Sequence, residues 1–286
     1  MATIKRLLKK SPLYPLLRRL HRALLGMRAN SSKPVAFHVD GVEVKFNTDD
    51  PYSYHWFFPR YAGAIVHEES ATRAFIEMAG HSNVIADVGT NLGWFACCAA
   101  RANPEAQVHA FELDAANLDI CRKNIHLNRI ENITLVQAAV ASHDGELTFA
   151  KHASHEASAE HRIGLSAPVR QEVRALRLDT YFRDRPKPEL MKIDVEGAEQ
   201  LVLGGMPELL GGSHLRTIMI EIHPAWIVEL GGSVRQLLAM LEGSGFTVHA
   251  LSHRSNSGGQ SVVDPSQIEA VGSGGRMFVA HRSKSI

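Results

Sequence analysis

Cysteine is scarce in this chain, and the few cysteines lie close together. Among its 286 residues the sequence contains three, Cys97, Cys98 and Cys121, and no CxxC pair. This number and spacing exclude a disulfide framework of the kind that small secreted domains use. We therefore expect buried thiols in a protein of a reducing compartment.

Long hydrophobic runs are missing as well, although 45% of the residues are hydrophobic. No uncharged apolar stretch reaches the length that crosses a membrane, and no hydrophobic region typical of a signal peptide is present. The composition predicts a globular, cytoplasmic protein. The net charge of +1 argues against a broad nucleic-acid-binding face.

Acidic residues are absent from the first 39 positions, which carry nine lysines and arginines. Leu17, Leu20 and Leu24 follow helical spacing there, which predicts a basic amphipathic arm over residues 1–30. Such an arm suits peripheral contact with an anionic membrane at its inner face. Two other interpretations stay open: a helix that packs its leucines on the body, and a mitochondrial presequence.

Residues 31–70 predict a small β and aromatic cap region. The stretch FHVDGVEVKF indicates two short strands joined at Asp40-Gly41, which is a hairpin signal. The aromatic residues between Pro51 and Tyr61 would form a cap or an entrance.

Residues 71–286 show a different pattern, in which short apolar strands alternate with helix-length segments. This alternation predicts a Rossmann-like α/β domain with a mostly parallel sheet and helices on both faces. The polar segment 151–170 is expected to form a loop or lid between the third and fourth strands of this region.

The strongest site signal is the turn DVGTNLGWF, which follows the first strand of the alternating region. Gly89 permits a tight turn and close approach of a ligand, and Asn91 tolerates a left-handed backbone. Nineteen residues after Gly93, Glu112 ends the second strand, where a carboxylate can accept hydrogen bonds from both hydroxyls of a ribose. The turn and the acid together predict a nucleoside-binding site.

This turn lacks two common nucleotide-binding patterns. Neither GxGxxG nor GxxxxGK[ST] occurs in the chain. Asp87, at the end of the first strand, is a poor neighbour for a pyrophosphate, which needs several free backbone N–H groups. An acid there suits a nucleoside that carries an amino acid and a positive centre, and S-adenosylmethionine is such a ligand.

The motifs between Glu68 and Phe246 resemble, in this order, the FkbM family of class I S-adenosylmethionine-dependent methyltransferases. The resemblance rests on VIADVGTNLGWF, FELDAANLDICRKNIHLN, LVQAAVASHDGELTF, LRLDTYF, LMKIDVEGAEQLVLGG and TIMIEIH. It implies a seven-stranded sheet whose last strand is antiparallel. It also implies the following cofactor-binding residues: Glu69 (with Glu68 as the alternative), Asp87, Gly89, Thr90, Asn91, Gly93, Glu112, Leu113, Ala139 and Ser142.

One implied position departs from the pattern of the wider class. Ala139 stands where many methyltransferases have an acid that binds the adenine amino group. Backbone groups or Ser142 would have to make that contact.

Acids also gather in LMKIDVEGAE, where the fourth strand ends. Methyl transfer to a hydroxyl requires the acceptor oxygen to be aligned at about 3 Å and its proton to be removed. Asp194 would orient the cofactor or the hydroxyl at this mouth. The base would be one of three residues: Glu196, or Glu221 or His223 in the EIHP motif at the end of the fifth strand. Glu199 is expected to face the following helix.

Simpler roles stay open for some of these residues. Glu196 could accept hydrogen bonds from the N-terminal N–H groups of the next helix, and His223 could be a structural histidine before Pro224. The four side chains are also suitable ligands for a divalent cation, although the sequence does not predict a required metal. A zinc site is not expected, because no cysteine accompanies the histidines of the polar segment, His152, His155 and His161.

We therefore expect an O-methyltransferase that uses S-adenosylmethionine and acts on a hydroxyl of a sugar, glycolipid or related metabolite. The expected partner is a hydroxylated small molecule or glycan rather than a nucleic acid. The alternatives are a non-catalytic cofactor-binding scaffold and, less favoured, a nicotinamide-dependent oxidoreductase. A carboxyl group as methyl acceptor also stays open.

Overall fold

The computed structural model describes residues 34–50, 52–54, 56, 66–151, 161–163, 169–251, 268 and 275–282. The predicted arm at residues 1–30, and most of the predicted aromatic entrance and of the polar segment, lie outside these described residues. In the part of the chain that is described, every helix is too short or too polar to cross a membrane.

A seven-stranded sheet forms the centre of the fold, in the order β12-β13-β11-β10-β3-β4-β5. Strand β13 pairs antiparallel with both β11 and β12, whereas the pairs among the other strands are parallel. The predicted α/β sheet with an antiparallel last strand is therefore confirmed. Its strands are β3 (Val84–Val88), β4 (Gln107–Glu112), β5 (Ile133–Gln137), β10 (Leu190–Ile193), β11 (Thr217–Ile222), β12 (Phe246–Ala250) and β13 (Arg276–Arg282).

The inner strands are buried on both faces. Along β3 all five residues are buried; Val84, Ala86 and Val88 join one apolar cluster, and Ile85 joins another. Strand side chains alternate between faces, so the two clusters occupy opposite sides of the sheet. The covering helices are α1 (Glu69–Ala79), α2 (Trp94–Ala102), α3 (Ala115–Leu127), α4 (Leu178–Tyr181), α5 (Glu199–Gly204), α6 (Pro207–Gly211), α7 (Pro224–Glu229) and α8 (Val234–Gly243).

The predicted hairpin is present as β1 (Val35–Val39) and β2 (Val42–Phe46), joined at Asp40-Gly41. Both turn residues have positive φ, as a tight hairpin turn requires. The hairpin docks on α3, where Asn128 Oδ1 accepts a hydrogen bond from Lys45 N at 2.7 Å. Phe46 stacks on Trp94 of α2, so the hairpin shares the core of the α/β domain.

A second sheet, which the sequence analysis missed, lies between β5 and β10 along the chain. It has the order β6-β9-β7-β8. Its strands are β6 (Ala139–Val140), β7 (Gly145–Lys151), β8 (His161–Ile163) and β9 (Val169–Leu176). The expectation of a loop or lid over 151–170 is wrong where β8 and the start of β9 pair with β7. Half-polar strands such as VRQEVRAL lack the apolar run that marks a central strand.

The three cysteines are buried, as expected. Burial raises the pKa of each thiol, and the nearby Asp87 raises it further. They therefore behave as apolar side chains beneath the sheet rather than as reactive groups.

Candidate active site

The glycine-rich turn joins β3 to α2 and lies directly against the end of β10. Gly89 has a φ of +82°, and a Cβ built there would lie 1.8 Å from the carbonyl oxygen of Asp194. Only glycine allows the two strand ends to approach this closely. The backbone N–H groups of Gly89 and Thr90 both donate to the carbonyl oxygen of Phe111, which ties the turn to β4.

Glu112 fixes the other side of the turn from the end of β4. Its Oε2 atom accepts a hydrogen bond from Asn91 N at 2.9 Å, and its Oε1 atom accepts one from Asp114 N, also at 2.9 Å. Asp114 in turn caps α3 by accepting a hydrogen bond from Ala116 N. The carboxylate is thus held in place by backbone N–H donors at the point where a ribose was expected.

These elements enclose a cavity of about 700 Å³, counting the open solvent at its mouth. Seven predicted site residues line it: Gly89, Asn91, Glu112, Leu113, Ala139, Asp194 and Glu196. The remaining lining residues were not predicted from the sequence and are mostly apolar: Val88, Phe111, Asn117, Ala138, Val140, Val195 and Ala198. An apolar pocket with a few fixed polar groups is typical of small-molecule sites.

Five predicted cofactor residues are not among the lining residues in the described part of the chain: Glu69, Asp87, Thr90, Gly93 and Ser142. Asp87 is 1% exposed, and its Oδ2 atom accepts a hydrogen bond from Thr90 Oγ1 at 2.7 Å. Burial raises the pKa of the Asp87 carboxyl, and the Lys192 ammonium partly offsets this. Asp87 and Thr90 therefore brace the turn from below. Glu69 pairs with Arg73 on α1.

Tyr52, in the aromatic segment that the sequence marks as an entrance, reaches the turn. Its hydroxyl donates a hydrogen bond to Asn91 Oδ1 at 3.1 Å. Burial raises the pKa of Tyr52 to about 12, so the phenol keeps its proton and remains a donor. Tyr52 thereby contacts Asn91, which lines the cavity.

Asp194 stands where the cavity opens, paired with a buried lysine. Lys192 Nζ lies 3.1 Å from Asp194 Oδ2 and 4.6 Å from the centre of the Phe95 ring. Burial alone would lower the pKa of Lys192, but the carboxylates of Asp194 and Asp87 outweigh it and raise the pKa. The ammonium therefore stays charged and fixes the position of Asp194.

His223, which follows β11, is held between carboxylates on both ring nitrogens. Its Nδ1 atom lies 2.7 Å from Glu199 Oε1, and its Nε2 atom lies 3.3 Å from Glu196 Oε2 and 3.8 Å from Glu221 Oε1. The expectation that Glu199 faces the following helix is therefore wrong. Glu199 is fully buried and orients the imidazole, a role that the spacing of DVEGAE does not reveal.

The pKa values of this group reflect burial and crowding of negative charge. Burial, with the nearby Asp194, raises the pKa of Glu221 to about 8. Burial alone would lower the pKa of His223, but its hydrogen bond to Glu199 and the surrounding carboxylates raise it to about 9. The mouth of the cavity is therefore a strongly acidic environment that favours positive charge.

Gly275, just before β13, is a site residue that the sequence analysis missed. A Cβ at this position would lie 2.3 Å from Glu221 Oε1 and 2.5 Å from His223 Nε2. The absence of a side chain therefore leaves room for both groups. No local sequence signal marks Gly275, because its neighbours in space lie on a different strand.

The sheet order, the glycine-rich turn and the acid at the end of β4 together define a class I methyltransferase fold with its nucleoside pocket. The donor set fits S-adenosylmethionine: Glu112 offers carboxylate oxygens for ribose hydroxyls, and Asp194 offers negative charge for a cationic centre. Residues 87–248 match the family described as Methyltransferase FkbM domain. The chain belongs to this family of S-adenosylmethionine-dependent methyltransferases, and S-adenosylmethionine is the cofactor of the domain.

Two curated relatives are similar over part of their length. The chain is 29% identical over 163 residues to the hexuronic acid methyltransferase AglP of Haloferax volcanii, an alignment that covers 54% of this chain and 62% of that protein. It is 27% identical over 199 residues to the 31-O-demethyl-FK506 methyltransferase FkbM of Streptomyces tacrolimicus, covering 59% and 74%. The chain thus spans less than two thirds of the length of AglP.

Solved structures resemble the chain more distantly. TYW2 of M. jannaschii in complex with AdoMet has a TM-score of 0.41 at 13% identity, covering 88% of this chain and 86% of that one. An rRNA methylase from Streptococcus thermophilus has a TM-score of 0.44 at 11% identity, covering 74% and 96%.

Proposed function

We propose that this protein is an O-methyltransferase that transfers a methyl group to a hydroxyl of a sugar, glycolipid or related metabolite. One observation carries the proposal. Asp194 and Glu196 line the cavity that fits S-adenosylmethionine, and Glu221 and His223, at the end of the adjacent strand, lie within 4 Å of this pair or of each other.

The cofactor half of this site would bind through fixed backbone and carboxylate groups. When bound, S-adenosylmethionine supplies a methyl group on a positively charged sulfur. Glu112 would accept hydrogen bonds from the ribose hydroxyls, because each carboxylate oxygen can accept more than one. Ala138, Ala139 and Val140 would provide the apolar wall for the adenine.

The acceptor half would align the hydroxyl and take its proton. A hydroxyl is a weak nucleophile, and a positioned base typically contributes about 10²–10⁴-fold to the rate. Glu196 and Glu221 both lie within 4 Å of His223 Nε2, so a proton that reaches this edge has several acceptors. Asp194, fixed by Lys192, would hold the reacting groups in line.

The relatives support the acceptor class without fixing it. One is named for a hexuronic acid and the other for 31-O-demethyl-FK506, and the second name specifies an oxygen. At this identity and coverage the sugar acceptor is a proposal for this chain.

Contact of residues 1–30 with an anionic membrane surface is a separate proposal, supported by the charge pattern. It would place the enzyme beside membrane-bound acceptors. We expect a chain that lacks residues 1–30 to lose sedimentation with anionic vesicles while it keeps its cofactor affinity. Unchanged sedimentation would refute the membrane proposal alone.

The acceptor proposal is tested by transfer of label from radiolabelled S-adenosylmethionine into fractionated extract of the source cell. We expect label in the glycan or glycolipid fraction, and none there with the Glu112→Ala variant. Label confined to protein or nucleic acid would refute the acceptor class. Cofactor binding without transfer into any fraction would favour the scaffold alternative.

A further inference from the structure

Three side chains at the mouth of the cavity offer ligand atoms for one metal ion. One atom each from Asp194, Glu196 and His223 lies within 4.8 Å of the other two. The carboxylates follow β10 and the imidazole follows β11, two neighbouring parallel strands. The donors are thus brought together by the sheet rather than by one flexible loop.

His223 is already oriented as a metal-binding histidine would be. Its Nδ1 atom bonds to the buried Glu199, which itself accepts a hydrogen bond from Gly197 N at 3.0 Å. A carboxylate on the far nitrogen is the usual support for a histidine ligand. The side chain is only 6% exposed, and its Nε2 atom points at the carboxylates of Glu196, at 3.3 Å, and Glu221, at 3.8 Å.

Carboxylates also gather at this place. Those of Asp194, Glu196 and Glu221 converge beside Lys192 and His223. Partly buried carboxylates that lie this close together are stabilised by a cation.

We propose that Asp194, Glu196 and His223 bind a divalent cation of the first transition row. Two carboxylate oxygens and one imidazole nitrogen suit Mn²⁺, Fe²⁺ or Zn²⁺. They suit Ca²⁺ less well, because Ca²⁺ sites use oxygen ligands only. Three protein ligands leave coordination positions for water and for an acceptor oxygen.

The role of this cation rests on the proposed function. A hydroxyl bound to a divalent cation loses its proton more readily. The proton would pass to Glu221, the acceptor oxygen would bond to the methyl carbon, and the carbon–sulfur bond would break to leave a neutral thioether. Glu221, outside the ligand set, would then be the proton acceptor.

Binding of Mn²⁺ alone to the full chain, measured by calorimetry without S-adenosylmethionine, tests the site independently of activity. We expect one site that weakens at least about 10-fold in Glu196→Gln and in His223→Ala. Glu199→Gln is expected to weaken it by about 10–100-fold, because it removes the charge that supports the imidazole. Glu105→Gln, which changes an exposed carboxylate elsewhere, is the matched control and should bind as the wild type does.

The outcomes separate this proposal from the proposed function. No Mn²⁺ binding, or equal binding by wild type and Glu196→Gln, would overturn the metal site. Because the Glu196 side chain is partly exposed, that variant is expected to fold even if His223→Ala does not. Methyl transfer that proceeds in EDTA with normal cofactor affinity would also refute the metal role and leave the methyltransferase proposal intact.

Discussion

The two halves of the site are built in different ways. In the cofactor half, Gly89, Asn91 and Glu112 are held by backbone hydrogen bonds and left-handed turn geometry. In the acceptor half, Asp194 is held by its ion pair with Lys192, and His223 lies between the carboxylates of Glu196 and Glu199. The first half depends on backbone shape and the second on charge balance, so substitutions should affect them differently.

The largest loss of stability is expected at Gly89, where the backbone leaves no space for a side chain. Gly89→Ala would place a Cβ 1.8 Å from the carbonyl oxygen of Asp194, at a positive φ. We expect a loss of about 4 kcal/mol or more in the free energy of unfolding, measured by denaturant titration. Gly231→Ala is the control, since its φ is also positive but its Cβ meets nothing within 4 Å; it should cost about 1 kcal/mol. Equal costs would contradict the close approach.

The next largest loss of stability is expected when the ion pair between Asp194 and Lys192 is broken. Asp194→Asn would leave the buried ammonium of Lys192 without its partner, which we expect to cost about 3 kcal/mol in the free energy of unfolding. The double variant Asp194→Asn with Lys192→Met should be less destabilised than the single one, because it no longer buries the ammonium of Lys192 without Asp194. If the double variant lost more stability than Asp194→Asn, the broken ion pair with Lys192 would not explain the destabilisation of Asp194→Asn.

A smaller effect is expected from crowding of the acceptor half. In Gly275→Ala the new Cβ would displace the carboxylate of Glu221 and the imidazole of His223. Displacement of reacting groups by about 1 Å can cost up to about 10²-fold in rate. We expect turnover to fall by about 10-fold or more, with an unchanged dissociation constant for S-adenosylmethionine. If the affinity for S-adenosylmethionine weakened instead, Gly275 would belong to the cofactor half of the site.

The smallest effect is expected at Tyr52, which contacts the glycine-rich turn. Tyr52→Phe removes the hydroxyl that donates to Asn91 Oδ1. A hydrogen bond of this kind contributes about 1 kcal/mol, which corresponds to about a 5-fold weaker affinity for S-adenosylmethionine. Calorimetric titration of the cofactor measures it. Unchanged affinity would show that Asn91 keeps its position without Tyr52.

The sequence indicated where both halves of the site lie, but not the contacts that hold the acceptor half, and the reason is physical. The turn and Glu112 are local signals, because a strand end, a glycine and an acid follow one another along the chain. The Glu199–His223 contact and the space at Gly275 depend on β10, β11 and β13 lying side by side. Those relations are visible only once the strands are assembled.

Two features of the fold were also beyond local signals. Asp87 lies near the end of β3, where an acid could face a ligand. Its side chain instead accepts a hydrogen bond from Thr90 beneath the glycine-rich turn. The strands β7 and β9 carry polar residues on one face, so their pairing could not be recognised from hydrophobic runs. The roles of Asp87 and Thr90 toward the cofactor stay predictions.

The separation of the two halves is the central claim, and one paired measurement tests it directly. The dissociation constant for S-adenosylmethionine and the rate of label transfer would be measured for Glu112→Gln and Glu221→Gln on the same preparations. We expect Glu112→Gln to weaken cofactor binding, and Glu221→Gln to bind normally but transfer label about 10²-fold more slowly. Weakened cofactor binding in Glu221→Gln together with normal binding in Glu112→Gln would contradict the account.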